Sequence, residues 1–324
     1  MYVQESYGRS WDSIEPTYNE HVSKIPHIDY DTRMETSKKI IFLNAGTETR
    51  KTFLQGIGDT PYAWYHTKNI ALHVSGEGEV IFVRRNKPID WTGARVFTRL
   101  RGTDNQFCGI MYDYFAHHHI PASDPINRSY ENSAEKISQM SLLAMHDIRV
   151  PESFIFREES YARNQAYTEE RLIFPVVYKT EGSKGRNVHF AENVEELRAL
   201  VAAKRPNILA LVQPFIQNTF DTRTIIAFGE VLGSIKRTRT SGYLNNIAQG
   251  AVPEVFTLTD EEKEVAIRAA YVCGTDVAGV DMVHTTEGPI VLEVNKSPQI
   301  HGFESVHDFK VFEKIAQLML ERMN

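Results

Sequence analysis

Cysteine is nearly absent from this chain: Cys108 and Cys273 are the only two in 324 residues and lie far apart. That excludes a disulfide framework and favours a reducing, cytoplasmic setting. No apolar run approaches the roughly 20 residues of a membrane helix. The N-terminus also lacks the basic-then-apolar plan of a secretory signal, so neither a membrane partner nor a leader is expected. Positive charge is not in excess either. A net charge of −6 argues against nucleic acid or an anionic membrane as a general partner. No internal repeat or low-complexity tract is present. The remainder, 42% hydrophobic and 24% charged, is an ordinary globular composition, with length for one large α/β domain or two to three subdomains.

Residues 1–38 are polar with scattered aromatics (Tyr2, Tyr7, Trp11, Tyr18, Tyr30) and no period. They read as an arm, either packed on the body or a partner subunit, or disordered. Ile40-Ile41-Phe42-Leu43 reads as a buried strand, followed by strand-like runs at Ile70–Val74, Val80–Val83 and Ala94–Leu100 and a helix from Phe107 to about His118. This alternation predicts an α/β unit with a largely parallel sheet over about 39–126. Asn132-Ser133-Ala134-Glu135 is a capping-box pattern for a helix to about His146. Two short strands then flank 180–186, a helix covers Val194–Ala203, and a strand covers Ile208–Val212. Thr224–Phe228 and Val231–Lys236 form a hairpin. Thr259-Asp260-Glu261-Glu262 caps a further helix that stops at Gly274, and a last helix spans about Asp308–Met323.

The strongest chemical signal is a second hairpin, Gly279-Val280-Asp281-Met282-Val283 and Ile290-Val291-Leu292-Glu293-Val294-Asn295, joined by Thr285-Thr286-Glu287-Gly288. Pairing centred on Glu287 sets Asp281 beside Glu293, and Asn295 falls on the same face. A single strand carboxylate is usually a solvated outer-face residue. Two opposed carboxylates in apolar strands repel and call for a cation. An all-oxygen set of two carboxylates and an amide suits Mg²⁺ or Mn²⁺.

Other candidates are weaker alone. Gly182-Ser183-Lys184-Gly185 lies between strands, so it is neither a Walker A loop nor a dinucleotide fingerprint. It reads as a simple turn, or as a flap whose N–H groups cover phosphates. Lys179, just before it, is a solvated strand-edge lysine or a phosphate ligand. Asp221-Thr222-Arg223 and Lys236-Arg237 bring cations and an acid to one end of the first hairpin, where arginine suits phosphate or carboxylate. Asn246 is a turn former or a ligand. His117-His118-His119 cannot all face one ion from a helix, and they read as a helix terminus that favours imidazolium.

Taken in order, these segments resemble the ATP-grasp enzymes. Val176–Gly185 is similar to their lysine and glycine-rich lid, and Val212-Gln213-Pro214-Phe215-Ile216 to their adenine-binding hinge. Asp221-Thr222-Arg223, Lys236-Arg237, Asn246 with Gln249-Gly250-Ala251, Asp281, and Leu292-Glu293-Val294-Asn295-Lys296-Ser297-Pro298 then follow in the family's order. The branch resembled is that of the RimK-like amino-acid ligases. The likeness is specific from about Asn132 to Glu304, weaker from Ile40 to Asn127, and does not include the arm.

The resemblance implies an α/β (α+β) ATP-grasp fold. The expected division is 1–38 arm, 39–130 pre-ATP-grasp domain and 131–324 ATP-grasp region, with a lid subdomain at about 150–212 and a metal and substrate subdomain at 213–324. It implies ATP contacts from Lys136, Lys179, Glu181, Gly182, Ser183, Gly185, Gln213, Pro214, Phe215, Ile216, Asp221 and Lys236. Arg223, Arg237 and Asn246 would face the γ-phosphate, acyl phosphate or substrate carboxylate, and Asp281, Glu293 and Asn295 would hold two Mg²⁺ ions. Pro214 and Asn218 stand where relatives often carry acids, Asn187 replaces a lid glycine, and Gln299 and His301 replace a common Gly and Glu on the substrate side. The implied reaction is amide formation between an amino acid and a carboxylate-bearing peptide, protein or small molecule, through an acyl phosphate, in a homo-oligomer. Phosphorylation of a small molecule on the same scaffold, or ATP binding for assembly without catalysis, are the alternatives.

Overall fold

The computed structural model describes residues 39–76, 79–99, 105–124, 136–180, 188–203, 209–238 and 252–322. The arm, the capping-box pattern at 132–135, the flap residues Glu181, Gly182, Ser183 and Gly185, the lid residue Asn187, and Asn246 lie outside them.

β1 (Lys39–Leu43) runs parallel to β2 (Tyr62–Tyr65) and β6 (Ala94–Thr98), in the order β2-β1-β6. Ile40, Ile41 and Phe42 are wholly buried, because helices cover both faces of the sheet. α1 (Thr47–Ile57) supplies Phe53 and Ile57 to one side, and α2 (Asn105–His117) supplies Met111, Tyr112 and Phe115 to the other.

The expectation of one largely parallel sheet needs correcting here. β3 (Ala71–Val74), β4 (Val80–Arg84) and β5 (Lys87–Pro88) form a separate antiparallel sheet. The link between β3 and β4 closes on itself, Ser75 N–H to the Glu79 carbonyl at 2.9 Å. A parallel crossover needs about a dozen residues or more, so only a hairpin fits this spacing.

After α3 (Lys136–Met145) come β7 (Phe154–Phe156), α4 (Glu158–Arg163), α5 (Gln165–Arg171), β8 (Val176–Thr180), β9 (Val188–Ala191), α6 (Val194–Ala202) and β10 (Ala210–Pro214). The four strands are antiparallel in the order β7-β10-β8-β9. Val176, Tyr178 and Val212 pack beneath Leu197 and Val201 of α6, forming a core of their own. Alternation leaves Lys179, Leu211 and Gln213 on the opposite face.

The third sheet contains β11 (Phe220–Ala227), β12 (Glu230–Thr238), β13 (Val252–Val255), β14 (Val277–Thr285) and β15 (Gly288–Asn295), in the order β13-β12-β11-β14-β15. α7 (Asp260–Val272) and α3 cover one face through Ala266, Ala269, Ile137 and Met140, against Val280, Met282 and Val294. Thr259 and Glu262 close the expected capping box at the start of α7.

Ile225, Ile235 and Val277 on the other face join Phe303 of α8 (His301–Glu304) and Phe312 and Ile315 of α9 (Val311–Glu321). Ile40, Phe42 and Phe53 belong to this same core, so the parallel sheet and the five-stranded sheet are locked together. The seam is tight: a Cβ on Gly56 of α1 would lie 2.4 Å from the Glu313 carbonyl oxygen of α9.

Candidate active site

The carboxylate hairpin owes its geometry to one extra residue. From the turn outward, Thr285 pairs with Gly288, His284 with Pro289, Val283 with Ile290 and Met282 with Val291. Continued unbroken, this register would set Asp281 against Leu292. A bulge after Met282 takes up Leu292, so Asp281 faces Glu293 and Gly279 faces Asn295. The pairing is the expected one, but its cause is not. The turn is tighter than one centred on Glu287, and the bulge restores the offset while turning Glu293 to the face of Asp281.

β15 is an edge strand, and its outer side is occupied. Gln139 of α3 donates Nε2 to the Val294 carbonyl at 2.8 Å and accepts the Val294 N–H through Oε1 at 3.1 Å. The Val291 N–H donates to the Arg149 carbonyl at 2.8 Å. These bonds anchor the strand that carries Glu293 and Asn295.

Across β12, β11 and β14 runs a formally neutral ladder of two guanidiniums and two carboxylates. Arg237 donates Nε and Nη2 to Asp221 at 2.7 and 2.8 Å. Arg223 donates Nε and Nη2 to Asp281 at 2.8 and 2.7 Å. Arg237 Nη2 also reaches Asp281 Oδ2 at 3.1 Å. Burial pushes the Asp281 carboxyl up, but Arg223 and Arg237 more than offset it and hold it at about 2. At Asp221 burial prevails over Arg237 and lifts the carboxyl to about 6. Burial also opposes the charge on Arg237, and Asp281 and Asp221 together keep that guanidinium firmly protonated.

An ionised carboxylate has about four lone-pair sites. The two arginines use three at Asp281, which leaves one on Oδ1 for a cation. Asn295 adds an amide whose Nδ2 is buried with no hydrogen-bond partner, so that end of the amide is not committed to the protein. Two carboxylates and an amide oxygen on one sheet face therefore fit a hard divalent ion. Among the described residues no group of three or more His, Cys, Asp or Glu side chains could hold a metal, and His117, His118 and His119 are exposed.

On the four-stranded sheet, Lys179 Nζ donates to Gln213 Oε1 at 2.6 Å, and Gln213 Nε2 donates to Ser153 Oγ at 2.9 Å. Pro214, Phe215 and Ile216 are half-buried. The Phe215 N–H donates to the Pro175 carbonyl at 2.8 Å, and its ring packs on Phe190. Lys136 is the first residue of α3, in the same helix as Gln139.

Lys236 is not brought to this group. Strand alternation turns it to the face opposite Arg237, with Nζ 4.8 Å from the Phe220 ring centroid and 3.7 Å from Glu254 Oε2. Sequence reasoning missed Gln139, Ser153 and Arg99, whose Nη2 donates to the Pro298 carbonyl at 3.0 Å. A polar residue between Ile137 and Met140 on an apolar helix face was the available signal for Gln139.

Residues 133–319 match the family model of the RimK-like ATP-grasp domain. A probable alpha-L-glutamate ligase of Syntrophotalea carbinolica is 32% identical over 196 residues, which is 58% of this chain and 63% of that protein. The ribosomal protein bS6–L-glutamate ligase of Shigella flexneri is 32% identical over 204 residues, 60% of this chain and 66% of its own length. The chain thus spans less than two thirds of these relatives. Among solved structures, the ATP-grasp ligase PsnB, complexed with a phosphomimetic variant of its minimal precursor, Mg and ADP, superposes with a TM-score of 0.64 at 16% identity. That match covers 90% of this chain and 100% of PsnB, and at this identity the likeness is one of fold.

Proposed function

The chain belongs to the RimK-like ATP-grasp family, and from that premise we propose that it is an ATP-dependent carboxylate–amine ligase joining L-glutamate to a carboxylate-bearing peptide. The observation that carries this reading is the single sheet face on which Asp281, Glu293 and Asn295 stand beside Arg223 and Arg237. Binding alone does not require two arginines, one buried and one half-buried, next to a metal-type donor set.

In this reading residues 39–130, 150–212 and 213–324 serve as the pre-ATP-grasp domain, the lid, and the metal and substrate part. ATP lies between the four-stranded and the five-stranded sheet, with Gln213–Ile216 along the adenine and Lys136, Lys179 and the 181–185 flap on the phosphates. Asp221 supports Arg237 and does not touch the nucleotide. Two Mg²⁺ ions, replaceable by Mn²⁺, would be held by Asp281, Glu293 and Asn295 and would supply positive charge against the phosphate oxygens.

A carboxylate is a poor electrophile until one oxygen becomes part of a leaving group. The γ-phosphoryl group transfers to it, giving ADP and an acyl phosphate; the amine attacks and phosphate leaves with the amide formed. Arg223 and Asn246 orient the phosphoryl group, and Arg237 is aimed at the oxyanion that develops on the attacked carbonyl. A closed flap keeps water from the acyl phosphate.

The test is incubation with ATP, Mg²⁺, L-glutamate and a peptide acceptor, with ADP and product mass measured and hydroxylamine added in parallel. ADP together with peptide extended by glutamate, and acyl hydroxamate in the trapping arm, is the expected result. A stable phosphorylated product would point to a kinase and overturn the reading.

A further inference from the structure

Side chains from neighbouring strands form a row across the four-stranded sheet, on the face away from α6. Lys179 stands on β8, Gln213 on β10, and Ser153 at the position before β7. Leu211, on the same face as Lys179 and Gln213, packs into the core shared by α3 and the five-stranded sheet. This face is therefore the one turned toward the five-stranded sheet.

Every bond in the row runs one way. Lys179 Nζ donates to Gln213 Oε1 at 2.6 Å, and Gln213 Nε2 donates to Ser153 Oγ at 2.9 Å. Ser153 Oγ in turn donates to the Pro151 carbonyl at 2.7 Å. A serine hydroxyl carries one hydrogen, so Ser153 can only accept from the amide and takes its NH₂ end. The oxygen end of Gln213 is thereby turned to Lys179. The reverse orientation would set amide hydrogens against an ammonium, and an oxygen against a hydroxyl that has already given its hydrogen. Gln213 is buried, so both ends of its amide need partners within the protein.

We infer that Ser153 is a positioning residue for the nucleotide: by fixing the amide of Gln213, it fixes where Lys179 holds its charge. This inference rests on the ligase reading above, which sets Lys179 on the phosphates, and adds to it a residue that touches no nucleotide. A lysine ammonium is a point charge on a flexible four-carbon stem, and ordering that stem at the moment of binding costs affinity. An amide oxygen orders it beforehand. Being neutral, the amide also leaves the positive charge for the phosphate, whereas a carboxylate in its place would cancel it. Without the Ser153 hydroxyl the NH₂ end of Gln213 is stranded, the amide turns to find another partner, and Lys179 loses its fixed acceptor.

The test is calorimetric titration of ADP with Mg²⁺, and separately of adenosine, into the full chain. The proteins are wild type, Ser153→Ala, Ser153→Thr, Lys179→Met and the Ser153→Ala, Lys179→Met double variant. Ser153→Ala is expected to weaken ADP binding by at least about fivefold and adenosine binding by less than about twofold. Ser153→Thr keeps the hydroxyl and should bind ADP within about twofold of wild type. In the Lys179→Met background Ser153→Ala should have no further effect on ADP, because the side chain it acts through is gone. Ser153→Cys, a much weaker acceptor, replaces the alanine variant if that protein does not fold. Equal ADP affinity in wild type and Ser153→Ala, a parallel fall for adenosine, or losses that add in the double variant would each overturn the inference. Unchanged ADP affinity in Lys179→Met, or no ADP binding by wild type, would overturn it together with the phosphate role of Lys179. Failure of the ligase reading shows separately, as ADP bound in this pattern by a wild type that produces neither ADP nor hydroxamate from ATP, L-glutamate and peptide.

Discussion

Asp221 and Arg237 face each other across β11 and β12 and share two hydrogen bonds, at 2.7 and 2.8 Å, with both side chains buried. Neither group has free choice of direction. Removing the carboxylate leaves a buried guanidinium with only its 3.1 Å contact to Asp281. Asp221→Ala should therefore lower unfolding free energy by about 3 kcal/mol, read from urea melts. In an Arg237→Met background the same substitution should cost clearly less, because no buried cation is then stranded. Additive losses would show that Asp221 does not act through Arg237.

Glu293→Ala removes one carboxylate of the opposed pair while leaving Asp281 with both arginines. ADP formation should be lost and the melting temperature retained. Normal turnover in that variant would remove Glu293 from the site.

Gln139 satisfies both backbone groups of Val294, between Glu293 and Asn295. Gln139→Ala should cost about 1–3 kcal/mol through the unpaired N–H and carbonyl. Mn²⁺ binding, followed by water proton relaxation, should weaken as the strand loosens. An unchanged denaturation curve would show that water replaces the amide without loss.

Glu169 accepts Nε and Nη2 of Arg198 at 2.9 and 2.7 Å, and this pairing holds its carboxyl near 2, below the ordinary 4.5. A carboxyl depressed by folding stabilises the native state above its unfolded pKa, and the contribution disappears as pH falls through the folded value. Wild type should therefore exceed Arg198→Met in stability at neutral pH, with the gap closing between pH 4.5 and about 2. A gap independent of pH would mean that the arginine acts by packing alone.

Gly279 is required by the approach of Pro298, whose ring cannot swing aside. Gly279→Ala should destabilise by about 1–3 kcal/mol and shift the 296–298 segment. Chemical denaturation and the NMR shifts of Asn295 and Lys296 would report it; wild-type values in both would show that the seam has slack.

The elements were largely legible in the amino-acid order, because their patterns are local. The apolar run at Ile40–Leu43, the Thr259–Glu262 capping box and the β-branched arms around Thr285–Gly288 each carry their own signal within a few residues. The family could also be read, since its motifs occur in order along the chain. Partner choice was not local. Lys236 and Arg237 are neighbours in sequence yet lie on opposite faces, so only one of them joins the ladder. Gln139 gained its role from a strand 155 positions away.

The carboxylate pair shows the division most plainly. Sequence alone determined that two acids and an amide stand in a β-hairpin, because residue type and strand propensity are written position by position. Whether Asp281 meets Glu293 or Leu292 was decided by the bulge, and a bulge is a property of two strands held in register by everything packed around them. Tertiary structure likewise decided that both arginines reach Asp281. Charges find their counterparts through space, and the chain order does not carry those distances.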